Sequence, residues 1–488
     1  MRKVLNRIFH LDERNGKLGI EILAGFVTFI AMIYILPINS EILSHMGMSQ
    51  EGIFAATAIV SGIITIFMGL YGNYPIVLSA GMGVNAFLAY TIYRAYGNWI
   101  SALIVMFIAG LIFLLITLTP IREKIIKAIP NDIKYILSAA LGGFIAFVGL
   151  KSAGIVVSDN ATLVTLGNLG DPQVILAIVG ILLVFVLSVV PNEKVKQLAI
   201  PIAMGAMLVV GIILNYSLFY KSDKYTSIGL PYYDTTAMWG INGLGDVIGK
   251  IFTGGKIYIN YNPSLTDPVL GNLNEVAEIS AGQAWVDVLK NPSTYAFIFS
   301  LILVNLFDTT ATLMAVGREA GIVDADGNLK DGKRAIMADA VGAAICAPFG
   351  TSTVTSFAES TVGTSIGAKT GLSAVTAGLL FILSAFIYPV FTPLNSSTIT
   401  SLALVAVGAS MFMHNLKEIK WDDITIGVTA FITFVLTLLT YSISEGLGFG
   451  IIIYILMMLV QKRFKEIDPL MYGIAGFYLV YFVLKIFI

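Results

Sequence analysis

The chain has 488 residues, 57% of them hydrophobic and 12% charged, with a formal net charge of -1. Soluble domains carry about a quarter charged residues, so the composition reads as a multi-pass membrane protein. A charge this close to zero gives no long-range attraction for nucleic acid, and a single cysteine, Cys346, excludes an intramolecular disulfide.

Residues 1–18, MRKVLNRIFHLDERNGKL, lack the apolar core of a signal peptide and read as an amphipathic cytoplasmic lead-in. Hydrophobic runs of spanning length follow near 19–43, 52–70, 75–93, 98–119, 133–150, 172–190 and 198–219. After a polar stretch at 220–294 come runs near 295–316, 334–348, 350–366, 371–392, 397–414, 423–442, 445–461 and 469–487. About fourteen transmembrane segments are expected, with 423–461 or the last run as a kinked or interfacial piece. The third and tenth runs are interrupted, at Ser79 to Gly83 and at Gly350 to Gly363. Such breaks in a hydrophobic segment point to the midplane site of a transporter.

Positive charge sets the orientation. Arg2, Lys3, Arg7, Arg14 and Lys17 precede the first run, and Arg122, Lys124, Lys127 and Lys134 follow the fourth. Lys194 and Lys196 follow the sixth, Arg318, Lys330, Lys333 and Arg334 the eighth, and Lys417 and Lys420 the twelfth. All fall on one side if the spans alternate, which places the N-terminus in the cytoplasm and 220–294 outside. Within that loop, AMWGINGLGDVIGKIF could lie on the membrane surface or pack on the protein, and packing is the preferred expectation. Seven runs precede the loop and about seven follow it, with the interrupted one third in each half. An odd number of spans per half inverts the second copy, the pattern of an inverted-repeat transporter.

Four polar groups stand out inside these runs: Asn85, Asn305, Asp308 and Glu359. Asn305 and Asp308 are three residues apart and share one helix face, with Thr309, Thr310 and Thr312 in the next turn. Ionisable groups at membrane depth are costly and mark pathways or proton relays. An amide with one or two carboxyls also matches the donors and acceptors of a flat heterocycle. The plain alternative is that Asp308 or Glu359 caps a broken helix or bonds a neighbouring hydroxyl.

Other features carry less. His10, His45 and His414 sit at span ends, so no histidine cluster exists for a metal or a catalytic triad. Gly363 to Thr370 has the wrong spacing for a phosphate loop. Asp324 to Asn328 lacks the acidic closing position of a calcium loop and reads as a turn. Glu21 and Glu41 read as packing or surface residues, and Glu445 as part of a gate or interface.

The stretches GIEILAGFVTFIAMIYILPINSEIL, LSAGMGVNAFLAYTI, NLFDTTATLMAVGREAGI, GTSTVTSFAESTVG and YSISEGLGFGIIIYIL, in that order, resemble the adenine/guanine/hypoxanthine permeases. These are a branch of the xanthine/uracil permease (nucleobase:cation symporter-2) superfamily, and the resemblance covers nearly the whole chain. It implies an all-α membrane protein of fourteen spans in two inverted repeats of seven. The transport core is then spans 1–4 and 8–11, within 19–150 and 295–392, with span 5 at 133–150 assigned to the gate. The remaining gate and dimerisation spans are 172–219 and 397–488. The implied activity is proton-coupled import of adenine, guanine or hypoxanthine by a homodimer in the plasma membrane, with no enzymatic activity, cofactor or metal.

The resemblance carries substrate binding to Asn85, Asp308 and Glu359, with Asn305, Thr309 and Ser356 beside them, and proton coupling to Glu359 and Asp308. The chain departs from the family pattern at Asn305, where an aspartate is common, and at Ala311, where glycine is common. It departs again at Asn39-Ser40-Glu41, where many members have Asn-Pro, and in the longer 220–294 loop. Two rival readings are an anion transporter of the related fold and a nucleobase facilitator without proton coupling.

Overall fold

The computed structural model describes residues 2–218, 239–259, 275–322 and 332–486, with Pro231, Ala237 and Leu329 as isolated positions. Among them, eight helices are long and apolar enough to cross a membrane: Leu18–Ser44, Gln50–Gly72, Trp99–Leu118, Asn131–Ser152, Ser293–Glu319, Ser397–Leu416, Ile443–Val460 and Pro469–Ile486. Four shorter apolar helices join them: Pro172–Ser188, Ala199–Asn215, Gly371–Ser384 and Ile424–Thr440. A bilayer core offers no water to backbone N–H and C=O groups, so apolar runs of this length satisfy them internally as helices.

The first span is broken into Leu18–Met32 and Ile35–Ser44. Pro37 explains the break, because it has no N–H to give the Ile33 carbonyl and its ring crowds that turn. The bend brings Tyr34 into the interior, where it is 1% exposed.

Among the described residues six strands occur: β1 (Leu78–Ala80), β2 (Val156–Asp159), β3 (Leu163–Leu166), β4 (Gly255–Ile259), β5 (Glu275–Ile279) and β6 (Val354–Ser356). The two interrupted runs supply β1 and β6, which pair antiparallel with Leu78 opposite Ser356 and Ala80 opposite Val354. The pairing extends through Gly81 N–H to Thr353 O (2.9 Å) and Phe357 N–H to Val77 O (3.0 Å). Unwound backbone deep in the protein must find partners, and here each interrupted segment satisfies the other. Beyond the strands the chain re-enters short helices, Met82–Phe87 on one side and Ser360–Ile366 on the other.

The helix pairs repeat between the halves. Gln50–Phe67 packs on Gly371–Ser384, and Trp99–Leu118 packs on Gly332–Ile345. These are second-with-fourth contacts taken in both directions. Asn131–Ser152 packs along Ser397–Leu416, fifth with fifth, and sixth-with-fifth contacts also occur both ways, with Pro172–Ser188 on Ser397–Leu416 and Ile424–Thr440 on Asn131–Ser152. Glycine permits the closest approaches. A Cβ on Gly142 would lie 2.8 Å from Gly408 O, and one on Gly408 would lie 2.6 Å from Gly142 O. Small residues at such contacts are how membrane helices approach closely.

The C-terminal run forms three consecutive antiparallel helices. Ile424–Thr440 turns at Tyr441 (φ 55°) into Ile443–Val460. Arg463 at the far end bridges back to Asp423 (2.8 Å), and Pro469–Ile486 returns so that Lys485 pairs with Glu445. The last run is therefore one uninterrupted helix, and the chain's local break falls at Tyr441.

Within the 220–294 region, residues 239–253 pack on the protein as expected. Gly240 N–H bonds Phe386 O, Gly249 N–H bonds Pro348 O, and Val247 and Ile251 are buried. A hairpin of β4 and β5 and the helix Ala281–Lys290 complete this cap, held by Trp99 Nε1 to Lys256 O (3.3 Å) and Trp285 Nε1 to Ile251 O (2.9 Å). Strands β2, β3, β4 and β5 are not expected from the residue pattern. The Asp324 to Asn328 turn lies outside the described residues.

Candidate functional site

The site is built where β1 and β6 cross. Asn85 lies on the helix that follows β1 and is fully buried, and neither its Oδ1 nor its Nδ2 has a partner. A buried amide with both atoms unsatisfied costs about 1–3 kcal/mol per group, so an amide kept in this condition is suited to a ligand. Glu359 sits at the start of the helix that follows β6. Its side chain does not cap that helix; instead its Oε1 accepts a short hydrogen bond from the Tyr34 hydroxyl.

The Ser293–Glu319 helix packs against both β6 and Ser360–Ile366, which brings its polar face to the crossing. Asn305 is 1% exposed and its Oδ1 has no partner. Asp308 is partly buried and within electrostatic reach of Glu359 and Asp339.

Thr309 and Ser356, expected at the substrate, both turn to a third carboxylate. Thr309 Oγ1 donates to Asp339 Oδ2 (2.5 Å), while the Ser356 N–H and Oγ both donate to Asp339 Oδ1 (2.8 Å each). Asp339 is fully buried on the Gly332–Ile345 helix. Close by, Arg122 donates through Nη2 to Thr310 Oγ1 (3.1 Å) and lies over the Phe113 ring. It is 5% exposed, and its Nε and Nη1 are buried without partners. Burial pulls the guanidinium below its ordinary range while the charge of Asp339 pulls the other way.

The sequence reading missed Asp339, Arg122 and Tyr34. Asp339 was visible as a lone carboxylate in the small-residue run AIMADAVGAAIC, the criterion that singled out Glu359. Arg122 was counted among the cytoplasmic cations, and nothing in its neighbours marks it as buried. Tyr34 depends on the bend at Pro37.

Glu21 and Glu41 do have packing roles. Glu21 Oε1 accepts from the N–H groups of Lys369 and Thr370, and Glu41 pairs with His45 Nε2 at 3.2 Å.

This arrangement offers free amide atoms and carboxylates to a small polar molecule. It belongs to a multi-pass membrane protein with two interrupted segments paired in its interior. The fold is similar to the transmembrane domain of the cyanobacterial bicarbonate transporter BicA, with TM-score 0.57 and 14% identity over 88% of this chain and 97% of that one. It is also similar to SLC26A9, with TM-score 0.60 and 10% identity over 94% of this chain and 69% of that one.

The permease family model Xan_ur_permease matches residues 19–449, and the chain belongs to that permease family. A permease of Methanocaldococcus jannaschii is 38% identical, over 99% of this chain and 98% of that protein. The guanine/hypoxanthine permease PbuO of Bacillus subtilis is 34% identical over 99% and 100%, and the adenine permease AdeP of Escherichia coli is 31% identical over 99% and 96%. The protein is a permease and not an enzyme.

Proposed function

We propose that this permease imports a purine nucleobase, adenine, guanine or hypoxanthine, as a secondary-active symporter with the proton as coupling ion. The observation that carries the reading is the buried, unpartnered amide of Asn85 on the helix after β1, whose partner strand β6 leads into Glu359. The names of PbuO and AdeP support the purine class.

In this reading Asn85 and Asn305 supply one hydrogen-bonding edge and the carboxylates the other. Glu359 or Asp308 takes up and releases the proton. The segments within 19–150 and 295–392, apart from 133–150, form a core that moves against a gate of 133–150, 172–219 and 397–488 in an elevator-like or rocking motion. The full set is fourteen spans with the N-terminus cytoplasmic, in the plasma membrane, and the gate joins two copies in a homodimer.

An anion substrate is disfavoured by charge. The guanidinium that approaches the site, Arg122, is offset by Asp339, and Asp308 and Glu359 add two more carboxylates.

The test is uptake of labelled adenine, guanine, hypoxanthine, xanthine and uracil into proteoliposomes, with and without an inward proton gradient. Gradient-driven accumulation of a purine is expected, with mutual competition naming the preferred base. Accumulation driven by sodium alone would overturn the coupling, equilibration without accumulation would make the protein a facilitator, and no movement of any base would overturn the reading. In the same assay Glu359→Gln is expected to lower uptake about tenfold or more, the size of a lost charged hydrogen bond.

A further inference from the structure

We infer that Asp339, with Arg122 as its counter-charge, is a positioning residue that fixes the spacing between the two carboxylates of the site. This inference rests on the purine-permease reading. Asp308 and Glu359 lie on different segments, the Ser293–Glu319 helix and the β6 strand-to-helix connection, and nothing covalent near the site holds them in register. Asp339 lies on a third segment and binds both. It takes the hydroxyl of Thr309, the residue after Asp308, and both donors of Ser356, three residues before Glu359. Arg122, from the helix after the fourth span, holds Thr310, the next residue along. Asp308 is thus followed by two consecutive threonines, the first moored to the Asp339 carboxylate and the second to the Arg122 guanidinium.

An ionised carboxylate at 339 matches these donors. Three donors converge on its two oxygens, and an ionised carboxylate is acceptor-only with room for about four hydrogen bonds. An amide there has one acceptor atom, so the Thr309 hydroxyl would have to reverse and accept from its NH2. A charge buried this deeply needs an opposite charge nearby, and removing one partner strands the other. Arg122 fills that role through its field, because its bond goes to Thr310 and not to Asp339 itself. The hydroxyls of Thr309 and Ser356 are then used inside the protein. They place the substrate-binding carboxylates and do not touch the base.

The chain carries its own reporter of this mooring. Cys346, the sole cysteine, is fully buried two helical turns beyond Asp339 and adjoins Thr353 and Val354 at the start of β6. If Asp339 anchors β6, loosening that anchor exposes the thiol.

The experiment compares wild type, Thr309→Val, Asp339→Asn, Arg122→Gln and the double variant Asp339→Asn/Arg122→Gln in proteoliposomes. KM and maximal rate are measured for each transported purine, with maleimide labelling of Cys346 in parallel. Thr309→Val keeps side-chain shape and is expected to fold. It should raise KM several-fold for every purine alike, as a spacing change does. Asp339→Asn should raise KM about tenfold, the scale of one charge-assisted hydrogen bond, and speed Cys346 labelling. The double variant should recover part of the loss seen in Arg122→Gln, because it leaves no unpaired charge.

Unchanged KM in Thr309→Val together with unchanged labelling in Asp339→Asn would overturn the inference. So would a KM rise confined to one purine, which would make Thr309 a direct contact. If wild type itself transports no purine, the functional reading fails, while the labelling comparison still tests the mooring.

Discussion

Two regions of this molecule bury polar groups in opposite ways. Around the β1–β6 crossing, polar side chains reach across segments that are far apart in sequence. Asn39 bonds Thr57 and Thr351, Ser352 bonds Asn39, Ser61 meets Ser79, and Asp339 gathers Thr309 and Ser356. In the layer of Asn131–Ser152, Ser397–Leu416 and Ile424–Thr440, the buried polar groups are mostly hydroxyls that bond their own helix. Thr429 and Thr433 each donate to the carbonyl four residues back, and Thr400 donates to Ser396 O. Contact between these helices is made by glycine instead, at Gly142 against Gly408.

The first region is cross-linked in one arrangement, as a site that must present fixed groups requires. The second is held by shape, with few directional bonds between its helices. Such a surface supports close packing without tying the layer to the site.

The largest expected effect that tests this contrast is Gly408→Val. A side chain there meets the backbone of Gly142 and Ala146, and overpacking of a close contact costs about 1–3 kcal/mol or more. The yield of folded protein and its thermal midpoint should fall, while the KM for purine in the surviving folded fraction stays at the wild-type value. A changed KM would mean that the two regions are not separable.

A smaller effect is expected on the other side. Tyr34→Phe removes the hydroxyl that donates to Glu359 and should weaken purine uptake by up to about tenfold, with the thermal midpoint almost unmoved. A loss of folding with unchanged KM would reassign Tyr34 to packing.

The smallest effect belongs to the rim. Arg463→Ala removes the bridge to Asp423 at 2.8 Å, and exposed pairs of this kind contribute at most about 1 kcal/mol. The hydrogen bond from Arg463 holds the Asp423 carboxyl below its usual range. The folded value is the lower one, so the contribution is complete above the ordinary carboxylate range near 4 and fades as pH falls below it. Wild type and Arg463→Ala should therefore differ slightly in midpoint at neutral pH and low salt, and converge in acid or high salt.

The sequence was legible where the physics is local. Asn85, Asn305, Asp308 and Glu359 stood out because an isolated polar group in an apolar run has few explanations, and the interruptions at Gly81 and Gly350 announced broken segments. What could not be read was pairing at long range. Nothing in LSA or VTS says that they form strands β1 and β6, since each is too short to show alternation and each needs the other. Ser356 and Thr309 looked like ligand groups because their partner, Asp339, lies on another segment. Arg122 looked like one more cytoplasmic cation because burial is a property of the packed bundle. The positions were visible in the sequence, but their partners appear only in the fold.

The most direct test of the account is equilibrium binding of adenine, guanine and hypoxanthine to the purified protein, wild type against Asn85→Ala, with the thermal midpoint of each recorded. Asn85 has no internal partner to lose, so its removal should leave the fold intact and weaken binding of the preferred purine about tenfold or more. Wild-type affinity in a well-folded Asn85→Ala protein would contradict the placement of the site at the β1–β6 crossing.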